Sequence, residues 1–123
     1  MKRRARRDPR RLCPRCGLAL ESAGGKLACP NCGYARLTPP GRAEAEAKLL
    51  QALGELLART RGNQAAVTFR KLAQAGGLDS TEARYLTTRW RALLPPTLRA
   101  NGRVWRRAWK DGKRVFYACE VGA

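Results

Sequence analysis

Residues 13–33 read CPRCGLALESAGGKLACPNCG, and the two ends of this stretch repeat each other. Cys13-Pro14-Arg15-Cys16-Gly17 and Cys29-Pro30-Asn31-Cys32-Gly33 are both CPxCG, with twelve residues between Cys16 and Cys29. A C-x2-C turn aims two sulfurs at one point, and a glycine just past it lets the chain double back without a Cβ clash. Two such turns supply four thiolates to a tetrahedron, the donor set of a closed structural zinc site. Between them, Leu18, Leu20 and Leu27 flank Gly24-Gly25, which reads as a short hairpin. Other uses of the cysteines fit less well. Disulfides need an oxidising compartment. A redox CxxC needs a thioredoxin-like βαβ setting. Catalytic zinc keeps an open position, which four protein ligands would close. The expectation is one structural Zn2+ on Cys13, Cys16, Cys29 and Cys32, in a unit too small to stay folded without it.

The segment 12–37 resembles the zinc ribbon of general transcription factors and RNA polymerase subunits. The resemblance covers about a fifth of the chain. It implies a zinc-held three-stranded ribbon that contacts nucleic acid or RNA polymerase. Cys119 stands apart and reads as a small apolar strand residue.

The rest of the composition points to a polyanionic partner. The chain has 123 residues, 26 Lys plus Arg against 9 Asp plus Glu, and a net charge of +17. Hydrophobic residues make up 44%, too many for a disordered polycation. There is no histidine, so imidazole bases, Ser-His and Cys-His pairs are all excluded. The acids are scattered and no Gly-rich phosphate loop precedes a helix, so an enzyme and a small-molecule substrate are not expected. No run approaches the roughly 20 apolar residues of a membrane span. A soluble, cytoplasmic, nucleoid-associated protein follows as the expectation.

Residues 1–11 carry seven basic residues and one acid without apolar periodicity, and read as a flexible basic arm containing Arg3, Arg4, Arg6 and Arg7. Thr38-Pro39-Pro40-Gly41 breaks regular structure, so residues 38–42 read as a linker. A long helix is expected over 42–61, with Leu49, Leu50, Leu53, Leu56 and Leu57 on one face. A short strand at 65–67 and a helix capped by Thr68 come next. Asp79, with Glu82 three positions on, opens a third helix over about 79–94, stopped by Pro95-Pro96. Two strands around Asp111-Gly112 complete the chain as a hairpin, with Trp109 expected opposite Arg114 and Ala108 opposite Val115.

Residues 69–90, FRKLAQAGGLDSTEARYLTTRW, resemble the helix-turn-helix of bacterial and archaeal regulators. Leu72, Ala73, Gly77, Leu78, Ala83 and Leu86 match that pattern, while Gly76 adds flexibility where an apolar residue is more usual. With the hairpin, the resemblance implies a winged helix-turn-helix domain over 43–123, with three helices and a β-hairpin wing. The expected fold is small α+β, a four-cysteine zinc ribbon followed by that domain. On a helical wheel, Ala83, Leu86, Trp90, Leu93 and Leu94 face inward. Thr81, Arg84, Thr88 and Arg91 face outward with Tyr85 at the edge, a stripe suited to base edges and phosphates in the major groove. Arg106, Arg107, Lys110, Lys113 and Arg114 give the hairpin its charge for phosphates, and Trp105, Trp109 and Phe116 read as one face of it, which packs on the three-helix core or, as the alternative, stacks on exposed bases.

Double-stranded DNA is therefore the expected partner, with a role in transcription, and RNA polymerase a further contact. An RNA-binding or ribosome-associated protein is the alternative, as is a docking adaptor in transcription or replication.

Overall fold

The computed structural model describes residues 12–119 of a small α+β protein. The described residues fall into two compact units, divided between Ala43 and Glu44. The arm with Arg3, Arg4, Arg6 and Arg7 lies outside the described residues.

In the first unit, β1 (Glu21–Ala23), β2 (Lys26–Ala28) and β3 (Ala35–Leu37) form an antiparallel sheet in that order. Gly24-Gly25 makes the β1–β2 turn, as the glycine pair predicts, and a third strand pairs on the far side of β2. The apolar centre is only Cys13, Leu20, Leu27 and Cys29, with Tyr34 packed against them. So small a cluster cannot offset the chain entropy of ordering the sheet. The remaining stabilisation must come from the sulfur cluster.

The first helix, α1 (Pro39–Arg59), begins three residues before the expected Arg42. Proline fits a first turn because the amide it lacks would have no helical partner there. Thr38 Oγ1 accepts from the Gly41 N–H at 3.2 Å, while the Thr38 hydroxyl and amide both donate to the Gly25 carbonyl, at 3.0 and 2.9 Å. Residues 38–42, expected as a linker, are thus the cap and first turn of a helix, tied to the β1–β2 turn.

In the second unit α1 buries Ala45, Leu49, Ala52, Leu53 and Leu57. Leu50 is exposed rather than on this face, because the buried stripe advances in four-residue steps and Leu50 lies one residue off it. There follow β4 (Gln64–Thr68), α2 (Phe69–Gly76), α3 (Ser80–Leu86), α4 (Trp90–Leu93), β5 (Thr97–Ala100), β6 (Arg103–Asp111) and β7 (Arg114–Cys119). Thr68 caps α2 by accepting from Lys71 N–H at 3.2 Å. Gly77, at φ 65°, closes α2 in a Schellman arrangement, with Leu78 N–H on the Ala73 carbonyl at 3.1 Å. Gly76 is not a point of flexibility. A Cβ there would stand 3.1 Å from the Lys48 carbonyl and 3.4 Å from Ala52 Cβ, so the glycine allows α2 to approach α1 closely.

The single helix expected over 79–94 is two segments, which makes four helices among the described residues. Asp79 and Glu82 form the full capping box at the start of α3. The break is the turn 87–89, where the Arg89 amide bonds the Leu86 carbonyl, three residues back, at 2.9 Å. Similar three-residue bonds, Ala92 to Arg89 at 3.1 Å and Leu94 to Arg91 at 3.3 Å, bracket the single α-helical turn of α4. Two adjacent β-branched threonines weaken the α-helix at this point, and Pro95 pushes Leu94 to an extended ψ of 127°. Leu86, Trp90 and Leu94 still point inward as expected, while Ala83 and Leu93 are half-buried.

The second sheet is antiparallel in the order β4-β7-β6-β5. Strand β5 was not expected. It pairs with β6 through a turn at Asn101 (φ 54°) and Gly102 (φ 77°), and the Asn-Gly dipeptide is its sequence signal. The β6–β7 register also differs from expectation. Asp111 pairs with Arg114, Lys110 with Val115 and Trp109 with Phe116, so the two-residue loop is Gly112-Lys113. Gly112, at φ 55°, takes the first central position, where a type II′ turn demands glycine.

The ladder is irregular between Arg107, opposite Tyr117, and Trp109, opposite Phe116. Ala108 is therefore the extra residue of a bulge, which flips side-chain parity along β6. Trp105, Val115, Tyr117, Ala65 and Val67 are buried against the helices. Trp109 and Phe116 lie on the other face. The expectation that Trp105, Trp109 and Phe116 share one face fails because a two-residue period does not survive an inserted residue.

Candidate metal centre and basic surface

Each CPxCG segment builds the same knuckle. The amide of Cys13 donates to the Leu18 carbonyl at 2.8 Å and that of Cys29 to the Tyr34 carbonyl at 2.7 Å. Gly17 and Gly33 then return their amides to the Cys13 and Cys29 carbonyls, at φ 78° and 82°, a backbone region that an L side chain rarely enters. Amide groups aim inward at sulfur: Arg15 at Cys13 Sγ (3.4 Å), and Asn31 and Cys32 at Cys29 Sγ (3.4 and 3.5 Å).

The four Sγ atoms of Cys13, Cys16, Cys29 and Cys32 lie within 4.8 Å of one another. Cys13 and Cys32 approach to 3.4 Å, and Cys16 and Cys29 to 3.3 Å. Zn–S bonds of about 2.3 Å in a tetrahedron separate sulfurs by about 3.8 Å, a value inside the observed spread. The titration of the thiols points the same way. Burial opposes ionisation of Cys13, but the amides of Cys16 and Arg15 outweigh it and lower its pKa to about 6. At Cys32 the Tyr34 amide favours the thiolate, yet the Cys13 sulfur, burial and the sulfurs of Cys29 and Cys16 together push the pKa up to about 11. Four thiolates this close repel one another, and a divalent cation removes the conflict. Cysteines 13, 16, 29 and 32 can thus hold one zinc ion, consistent with a zinc ribbon.

The described residues singled out for nucleic acid are distributed over α3, α4, β6, β7 and the turns between them. Arg84 on α3, Thr88 in the turn after it and Arg91 on α4 are exposed, and Thr81 is half-buried. They do not form one continuous helical stripe, because the turn at 87–89 separates α3 from α4. Tyr85 is committed elsewhere: its hydroxyl donates to Glu46 Oε2 at 2.8 Å, while the Arg89 guanidinium lies 4.4 Å over its ring. Of the hairpin cations, Arg107 donates to the Leu94 carbonyl at 2.8 Å, closing the chain after α4. Arg114 is bonded to Asp111 at 2.8 Å, within the turn. Arg106, Lys110 and Lys113 are exposed.

Arg91 and Lys113 come together. With Arg70, Thr68, Thr87, Phe69 and Trp90 they line an open groove of about 660 Å³ between α2, α4 and the β6–β7 loop. Arg70 and Thr87 were not singled out from the sequence. Arg70 sits on the outer side of α2, and its position on a wheel opposite Leu72 was the available signal.

No helix among the described residues is long and apolar enough to cross a membrane. No protein-family model, curated protein or solved structure matches this chain.

Proposed function

We propose that this chain is a double-stranded DNA-binding protein of transcription rather than an enzyme, a zinc ribbon joined to a winged helix-turn-helix domain. The observation that carries this reading is the groove where Arg70, Arg91 and Lys113 converge beside Thr68 and Thr87. Three cations and two hydroxyls on one concave surface suit successive phosphates of a duplex. Arg84 and Thr88 are exposed, and in this reading they contact base edges. In this reading α2, the Gly77 turn and α3 are the helix-turn-helix, the extension through α4 completes the recognition element, and β6–β7 is the wing. The zinc is structural, since four thiolates leave no open position. The ribbon and the basic arm add a second contact, to nucleic acid or RNA polymerase. A cytoplasmic, nucleoid-associated location follows.

Selection of bound duplexes from a random pool, at fixed salt, tests this. A recovered consensus that Arg84→Ala relaxes supports groove reading, while Lys113→Ala is expected to weaken all duplexes alike and lower the salt dependence by about one unit. Structured RNA that outcompetes every duplex would overturn the DNA assignment in favour of an RNA-binding protein.

A further inference from the structure

The four-stranded sheet of residues 64–119 has a second face, and none of its described side chains is buried. Phe116, Ala118, Arg114, Ala66, Trp109, Arg106, Thr97, Val104 and Arg99 are all half-buried or exposed. At its centre Trp109 stacks on Phe116 across the strands, with ring centroids 4.7 Å apart and planes 15° from parallel. Phe116 covers one side of the indole, yet Trp109 remains 44% exposed.

This exposure is produced by the backbone. Without the bulge at Ala108, Trp109 would share the parity of Trp105, which is fully buried, and would point at the helices. A bulge re-aims a side chain at the expense of ladder hydrogen bonds. Here it turns a large aromatic side chain of the hairpin into solvent. The surroundings are cationic. Arg99, Arg106 and Arg114 lie on the same face, and Arg114 reaches over the Phe116 ring at 5.2 Å. Asp111, the acid of this face among the strand residues, is bonded to Arg114. An aromatic pair set among arginines on an open sheet is the chemistry of a base-stacking platform, whose affinity comes from ring overlap and a positive field and tolerates any base.

The geometry points to this face as a binding site for unpaired nucleotides, with Trp109 stacking on a base and the arginines on the adjoining phosphates. The proposal rests on the reading of the chain as a nucleic-acid-binding protein and extends it. The groove of Arg91 and Lys113 holds a duplex, and the opposite side of the same hairpin holds a single strand, as at an opened or frayed duplex end.

Titration of the zinc-loaded full chain with dT12, rU12 and a blunt duplex, followed by tryptophan emission and by anisotropy of the labelled oligonucleotide, tests it. Trp90 and Trp105 are buried, so Trp109 should dominate the quenching. Native protein should bind dT12 or rU12 with quenching, and the tighter of the two identifies the strand. Trp109→Phe should keep the affinity within about threefold and lose most of the quenching, and Trp109→Ala should weaken single-strand binding about tenfold or more. Duplex affinity should stay within about threefold in both variants. Unchanged single-strand affinity in Trp109→Ala, or equal losses on single strand and duplex, overturns the proposal. Trp109-dependent strand binding without any duplex binding upholds it and overturns the duplex reading instead.

Discussion

The ammonium of Lys48 lies 2.8 Å from the Glu82 carboxylate, which is only 6% exposed and also receives the Asp79 amide at 3.1 Å. One buried acid thereby caps α3 and binds α3 to α1, across 34 residues of sequence. The position of Arg84 and Thr88 relative to the core depends on this link.

Removing the partner should therefore cost more than removing the acid's charge. Lys48→Met leaves a carboxylate uncompensated and is expected to destabilise residues 44–119 by about 2 kcal/mol, below the range for fully buried pairs because Lys48 is 35% exposed. Glu82→Gln keeps a capping amide and should cost about 1 kcal/mol. The hydrogen bond to Glu82 raises the Lys48 pKa above its ordinary 10.5, so the pair's contribution is intact below that pH and fades as pH rises past the raised value. Urea denaturation of the single and double variants checks the coupling.

Tyr117 gives a second alkaline dependence. Burial lifts its pKa to about 12 from 10, and its hydroxyl donates to the Pro95 carbonyl at 2.6 Å. The folded state then holds its proton where the unfolded state has lost it, so stability falls as pH rises from 10 toward 12. Tyr117→Phe should cost about 1 kcal/mol at pH 8 and flatten that decline. Denaturation midpoints at pH 8 and pH 11 decide it.

Metal content is the third test. Purified protein should carry one zinc per chain, and a strong chelator should unfold residues 12–37 while the helices of 44–119 persist. Loss of amide dispersion confined to the ribbon in NMR spectra is the expected record, and an unchanged ribbon spectrum would refute the metal's structural role.

Gly41→Ala sets two effects against each other. Alanine favours a helix by about 1 kcal/mol over glycine, but a Cβ at Gly41 would collide with the Gly25 carbonyl oxygen. Neither atom belongs to a flexible side chain, so the collision should win, and the β1–β2 turn should separate from the helix start. Competition with a zinc chelator should show the variant holding its metal at least about tenfold more weakly.

Local chemistry was legible from the residues alone. CPxCG carries its own turn and its own sulfurs, Asp79 and Glu82 are three positions apart, and Gly24-Gly25 permits little except a turn, so knuckles, cap and ribbon hairpin could all be read without a partner in view. Asn101-Gly102 carried an equally local signal for β5. Other features depended on residues far apart in the chain. The hydrogen bond from the Tyr85 hydroxyl to Glu46 joins residues 39 apart in the chain. The bond from Arg107 to the Leu94 carbonyl likewise spans 13 residues. The bulge at Ala108 leaves no mark in the alternation of β6, because it arises from how β6 must match β7, and with it Trp109 changes sides. Short-range torsional and capping preferences are properties of neighbouring residues, whereas the destination of a long polar side chain or a strand's parity is decided only when distant segments compete for the same space and hydrogen bonds.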